Sequence, residues 1–334
     1  MKKLITILMA LVLVFTLVAC GKTDTPAPTP PAPEETPAEE PVVEETPAEE
    51  PAPVEQPVEH GTLRVQLIPS RDAAVLDAQR KPLQDLLEAE LGMPVEVTIA
   101  TDYNALIEAM KSEKVDVGFL ATTSYVLAAD QGAAEAILKS LRYDVDDKGN
   151  LLMDQPLVDG YKAQLVASPD SGITSIEDLK GKNIGIASFT STSGFVWPAN
   201  LLADHGLDPE KDVEWIDLVG HDNAILGVYN GQVDAAFTFK DARTLVEDEL
   251  EDVYEKVVFV TDTTSIPNDT ISVIPSLDPA LKEKIKQAFL NIAASEEGLE
   301  IIRAVYNHEG YAPATDDEYA MVREYLARQA EWDF

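Results

Sequence analysis

Cysteine is nearly absent from this 334-residue sequence: Cys20 is the only one. A lone thiol has no disulfide partner and cannot build a multi-cysteine zinc site. Positive charge is also scarce. Lys and Arg number 25 against 60 Asp and Glu, a formal net charge of −35, which argues against nucleic acid or an anionic membrane surface as partner. An anionic ligand would have to be held by local donors, against the global field. Only four histidines are present, and no cluster has metal-ligand spacing, so neither a metal nor a cofactor is expected. Beyond the N-terminus no apolar run is long enough to span a bilayer.

What the N-terminus does contain fixes the expected compartment. MKKLITILMALVLVFTLVAC places Lys2 and Lys3 before an apolar run to Val18, then Ala19 and Cys20. This order reads as an export signal over residues 1–19. LVAC resembles the bacterial lipoprotein signal, which implies that Cys20 becomes lipid-modified and N-terminal, anchoring the chain to the outer face of the cell membrane. Residues 20–60 follow as a Pro- and Glu-rich linker, with EETPAEEP at Glu34–Pro41 and again at Glu44–Pro51. Proline blocks helix and sheet and the glutamates repel one another, so an extended, disordered spacer is predicted. The segment Gly21–Glu59 carries −10 and the chain from His60 onward −27.

From Gly61 the pattern becomes that of a folded α/β body. TLRVQLIP alternates as a strand; AQRKPLQDLLEAELG then has helical spacing at Leu83, Leu86, Leu87 and Leu91, closed by Gly92. PVEVTIA, YNALIEAMKSE and VDVGFLA continue the alternation, which predicts a mostly parallel sheet flanked by helices. The pattern restarts after YKAQLVAS, with Gly181, Gly206 and Gly231 ending helices as left-handed caps. The tail from TISVIPS reads as mostly helical. Two lobes are predicted: lobe 1 over 61–162 and 268–334, lobe 2 over 163–267. A ligand cleft belongs between them, at strand carboxyl ends.

Within lobe 2, FTSTSGFVWP (Phe189–Pro198) sets four successive hydroxyl residues, Thr190 to Ser193, before Gly194 and an apolar helix. One reading is a helix cap. The other is an oxyanion receptor built of hydroxyls and free backbone N–H groups. Pro198 falls early enough in the following helix to be tolerated.

The segments DLKGKNIGIASFTSTSGFVWPANLL, GHDNAILGVYNGQVDAA and SIPNDTISVIPSLDPALKEKI together resemble the phosphonate-binding proteins of ABC importers. That family includes receptors for phosphate and phosphite and has the two-lobed type II periplasmic-binding-protein fold. The resemblance spans Leu63 to Pro313. It implies that Ser191, Thr192 and Ser193 clasp the phosphonate oxygens without a buried arginine, that His221 in GHDNA is a further donor, and that Tyr103 and Tyr161 line the cleft. It also implies that Asp241 in TFKDA and Asp269 in IPND hold the ammonium group of an aminophosphonate. Phe237 and Phe239 read as core strand residues or as the wall of a pocket for a bulkier ammonium. Thr122 and Thr123, in the stretch LATTSY, are candidates for additional hydroxyls from a lobe 1 turn. Asp116 and Asp234 read as structural strand-start residues, and His60, His205 and His308 as surface residues.

The function implied is capture of a small phosphonate, with 2-aminoethylphosphonate or a relative preferred, by lobe closure and delivery to ABC permease subunits. The protein would act as a monomer. A phosphate, phosphite or phosphate-ester receptor and a ligand sensor remain alternatives. An enzyme using Ser193, His221 and Asp241 as a triad is disfavoured, because the serine lies in an anion-binding turn rather than a strained nucleophile elbow.

Overall fold

The structure, a computed structural model, describes residues 61–146 and 150–333. The export signal, Cys20 and the repeat-bearing linker lie outside the described residues. No helix among those described is long and apolar enough to cross a membrane.

Lobe 1 begins with β1 (Leu63–Leu67), α1 (Ala73–Leu91), β2 (Val95–Ile99), α2 (Tyr103–Lys111), β3 (Val117–Leu120), α3 (Thr122–Asp130) and β4 (Glu135–Leu141). The chain then crosses to lobe 2, with β5 (Gly160–Ala167), β6 (Asn183–Ile186), α4 (Trp197–Asp204), β7 (Glu214–Asp217), α5 (His221–Tyr229), β8 (Ala235–Phe239), α6 (Val253–Lys256) and β9 (Val258–Pro267). It returns through β10 (Thr270–Val273), α7 (Pro279–Ala294), α8 (Glu296–Tyr306), β11 (Gly310–Pro313) and α9 (Ala320–Gln329). One sheet has the order β11-β4-β10-β3-β1-β2, the other β7-β6-β8-β5-β9.

The local signals act where they are placed. Asp72 and Asp102 cap α1 and α2 with their carboxylates, and Gly92 ends α1 at φ 66°. Asp116 grips Arg64 through the backbone N–H, Nε and Nη2, and Asp234 accepts from the Asn183 N–H at 2.8 Å; both pin strand starts. The core follows the apolar faces: β3 and β10 are buried along their whole lengths, as central strands covered on both sides should be.

The sheets are mixed rather than mostly parallel. β1 pairs parallel with β2 and β3, and β6 with β7 and β8. The strands at the lobe crossings run the other way: β10 is antiparallel to both β3 and β4, and β5 to both β8 and β9. A chain that leaves one lobe and re-enters it needs no helical crossover between those strands, so the constraint that imposes parallel pairing is lifted. A second difference lies at Thr122, which begins α3 instead of occupying a turn.

The lobes are bonded to each other beside the cleft. The His221 N–H donates to the Ser70 carbonyl at 3.3 Å, and the Thr123 N–H donates to Thr192 Oγ1 at 2.9 Å. Farther out, α9 leans on α4: the Trp197 and Tyr325 rings lie 4.5 Å apart, and Arg328 pairs with Asp204 at 2.6 Å.

Candidate functional site

The hydroxyl turn follows β6 and is buried, with Ser191 and Ser193 each 2% exposed and Thr192 1%. Ser191 caps the helical run: its Oγ accepts from the Gly194 N–H at 3.1 Å. A single wide turn, Thr192–Val196, then leads into α4, with Pro198 in the first turn of that helix. Gly194 is required by close approach, since a Cβ there would sit 2.9 Å from Ser191 Oγ and 3.2 Å from the Ala187 nitrogen. Capping engages only an acceptor lone pair of Ser191, which leaves its hydroxyl proton for His221 Nε2, 3.4 Å away, or for a ligand. Thr192 likewise accepts from lobe 1 while keeping a donor.

These hydroxyls open onto a cavity of about 50 Å³, which Tyr103, Tyr161, His221 and Asp269 also line. The cavity lies where β1, β3 and β8 end and β10 begins. Its volume holds about four waters at about 10–15 Å³ each, the scale of one tetrahedral oxyanion. Burial pushes the Tyr103 and Tyr161 phenols up, leaving both as neutral donors. His221 starts α5, sets Nε2 3.4 Å from Ser191 Oγ and packs edge-on against Phe239 at 5.0 Å. Phe237, by contrast, is fully buried core.

Burial lowers the His221 imidazole to about 4, against an opposing pull from Asp269, so it is neutral in the empty cavity at neutral pH. The unfolded chain would protonate it near its ordinary value of 6.5. Stability is therefore complete above about pH 6.5 and is lost as pH falls toward 4, by about 3 kcal/mol for this side chain. Thermal melts of the ligand-free protein between pH 7 and pH 4.5 are expected to fall by about 6–12 °C from this source. His221→Asn should flatten that part of the slope. An unchanged slope in the variant would refute the assignment.

Three cavity residues carry no sequence signal of their own. Arg142, at the end of β4, lies 3.5 Å from Asp269 and stacks 4.8 Å over the Tyr161 ring. Arg71 lines the same space from lobe 1. His308, read above as a surface residue, is 2% exposed with Nε2 4.0 Å from Asp269 and Nδ1 3.3 Å from the Tyr311 hydroxyl. Burial alone would raise the Asp269 carboxyl, but His308 and Arg142 outweigh it and hold the group below its usual range. The expectation of a pocket without a buried arginine is thus corrected: Arg142 is 8% exposed.

Two further expectations change. Thr122 and Thr123 are fully buried but do not line the cavity: Thr122 Oγ1 donates to the Pro267 carbonyl at 2.7 Å, and Thr123 contributes its backbone N–H to Thr192. Asp241 is not among the walls of that cavity; it borders the wider groove outside it. Its carboxylate is gripped by Arg243 through Nε at 3.0 Å and Nη2 at 2.5 Å, and by the Gln164 amide at 3.0 Å. Arg243 in turn stacks 4.6 Å over Tyr254. A buried carboxylate saturated by its own guanidinium has no capacity left for a ligand ammonium. It also removes the acid of any Ser193–His221–Asp241 triad.

Two lobes enclosing a small hydroxyl-lined cavity at strand ends define a solute receptor of the periplasmic-binding-protein class. Residues 65–319 match the model of the family described as "ABC transporter, phosphonate, periplasmic substrate-binding protein". The chain belongs to that family, whose members are transport receptors and not enzymes. It is similar to the phosphate-import protein PhnD of Mycolicibacterium smegmatis, 28% identical over 281 residues, covering 78% of this chain and 84% of the relative. It is also similar to the phosphonates-binding periplasmic protein of Escherichia coli, 25% identical over 255 residues, covering 75% and 71%. A solved structure of PhnD1 from Prochlorococcus marinus in complex with methylphosphonate shares the fold, with a TM-score of 0.69 at 18% identity, covering 81% of this chain and 99% of that one.

Proposed function

We propose that this protein is an extracytoplasmic lipoprotein, anchored through Cys20, that captures a tetrahedral phosphorus oxyanion and delivers it to an ABC permease. Ser191, Thr192, Ser193, His221, Tyr103 and Tyr161 would contact the oxygens. The observation that carries this reading is the burial of three consecutive hydroxyls against one cavity the size of an oxyanion. Charge-assisted hydrogen bonds are strongest in such a water-poor setting. Ligand contacts from both lobes would bias the closed arrangement.

The charges around the cavity disfavour 2-aminoethylphosphonate relative to phosphate or a phosphonate without an ammonium. An ammonium would meet one carboxylate, Asp269, already matched by Arg142, while Asp241 is closed off by Arg243. The names of the relatives, one a phosphate importer and one a phosphonate binder, are compatible with this breadth. Calorimetric titration against phosphate, phosphite, methylphosphonate and 2-aminoethylphosphonate tests it. Methylphosphonate or phosphate is expected to bind at least about tenfold more tightly than the amine, about one charge-assisted contact. Tightest binding of the amine would overturn the preference, and no binding of any of the four would overturn the receptor assignment.

A further inference from the structure

The cavity does not end at the hydroxyl turn. Arg71, Arg142, Phe239, Leu245 and Asn307 line both it and a wider groove that continues outward, so these residues form the neck between the two. Two of the five are arginines from lobe 1. Each has an Nε that is buried and without a hydrogen-bond partner. The Arg142 guanidinium faces Asp269 at 3.5 Å. Arg71 donates through Nη1 to the Ala304 carbonyl at 2.6 Å and has no carboxylate within ion-pair distance among the described residues.

The balance at the neck is therefore two guanidiniums against one carboxylate. The nearby His221 and His308 are held neutral by burial, and the buried Asp222, with Asp72, offsets part of the Arg71 charge without forming an ion pair with it. A half-buried guanidinium without a counter-charge is costly to keep and requires an anion to complete it. On Arg71, where only Nη1 is engaged, the Nε and Nη2 edge is the fork that matches a carboxylate or phosphoryl group in two contacts; on Arg142 the Nη2 already faces Asp269, so that guanidinium adds charge.

We infer that Arg71 and Arg142 form a second anionic subsite, so that the preferred ligands are bifunctional: a phosphorus head at the hydroxyl turn and a second acidic group, carboxylate or phosphoryl, at the neck. This rests on the phosphorus-oxyanion reading above and extends it to the organic end of the ligand. The same balance excludes a cationic tail at that position.

A ligand series built on one methylene tests the subsite: methylphosphonate, aminomethylphosphonate, phosphonoacetate and methylenediphosphonate, titrated into the protein by calorimetry at one pH and salt concentration. Phosphonoacetate, methylenediphosphonate or both should bind about tenfold or more tightly than methylphosphonate, with aminomethylphosphonate the weakest; whichever acid gains identifies the group. In Arg71→Gln the ratio of the acidic ligand to methylphosphonate should collapse toward one, and Arg71→Lys should restore part of it. Arg142→Lys provides the second variant: it keeps the charge beside Asp269, so the ratio of the acidic ligand to methylphosphonate should persist, and a full collapse there would move the subsite from Arg71 to Arg142. Equal binding of methylphosphonate and both acidic ligands, or a ratio unmoved by Arg71→Gln, would overturn the subsite and leave the head-group reading intact. Failure of methylphosphonate and phosphate themselves to bind would remove the head-group reading and the subsite with it.

Discussion

Replacing Ser191 and Ser193 together by alanine should weaken methylphosphonate binding by about 10²–10⁴-fold. Each hydroxyl would supply one hydrogen bond to an anion, and such bonds are worth about 1.5–3 kcal/mol each; two of them convert to that range of affinity. Ser191 has a structural part as well, since its Oγ caps the turn through the Gly194 N–H. Losing the cap costs about 1 kcal/mol of stability, far less than the affinity effect. The two contributions separate in one experiment, calorimetric titration of the double variant beside its thermal melt. A melt lowered by a few degrees with affinity unchanged would reduce the turn to a cap and end its role as a receptor.

Arg243→Met should destabilise the protein by about 3–5 kcal/mol, because it leaves the Asp241 carboxylate buried with its guanidinium gone. Asp241 is 3% exposed and Arg243 also 3%. The Gln164 amide and the Arg243 N–H would remain as donors, but neither carries a charge. The double change Asp241→Leu with Arg243→Met should recover most of the loss, since an apolar pair of similar volume often replaces a buried ion pair at little net expense. Denaturant unfolding of the two variants measures both effects. Ligand affinity in the double variant should stay within about threefold of the parent, in line with independent, separated sites. A large loss of affinity there, with stability recovered, would return Asp241 to the ligand site.

The hydroxyl turn was legible in the sequence because its chemistry is local: four hydroxyls, a glycine and a helix lie within ten residues. His221 was named through the family resemblance of GHDNA; local pattern alone gives only a residue at the start of a helix after a strand. The element pattern was equally plain for α1, closed by Gly92, and for the strands of the parallel pairs. Orientation at the lobe crossings was not, because β10 enters its sheet more than 125 residues after β4, the last lobe 1 strand before the crossing, and propensity does not encode direction.

The residues around Asp269 were illegible for a related reason. Arg142 follows β4 and His308 follows a left-handed Asn307 after α8; each is an ordinary surface residue in its own neighbourhood and becomes a cavity wall only when the start of β10 brings Asp269 between them. Asp241 did carry a usable signal. Its carboxylate accepts from the N–H of Arg243 two residues on, at 2.9 Å, and the spacing Asp-Ala-Arg lets the same guanidinium fold back on the acid. That pairing was available locally, but the sequence reading assigned Asp241 to a ligand ammonium instead.

The most direct test of the account is a crystal structure of the protein grown with methylphosphonate. Phosphonate oxygens within about 2.5–3.0 Å of the Ser191, Thr192 and Ser193 hydroxyls, with His221 on the same group, is the result predicted. A hydroxyl turn left to water, with phosphorus bound anywhere else on the molecule, would contradict it.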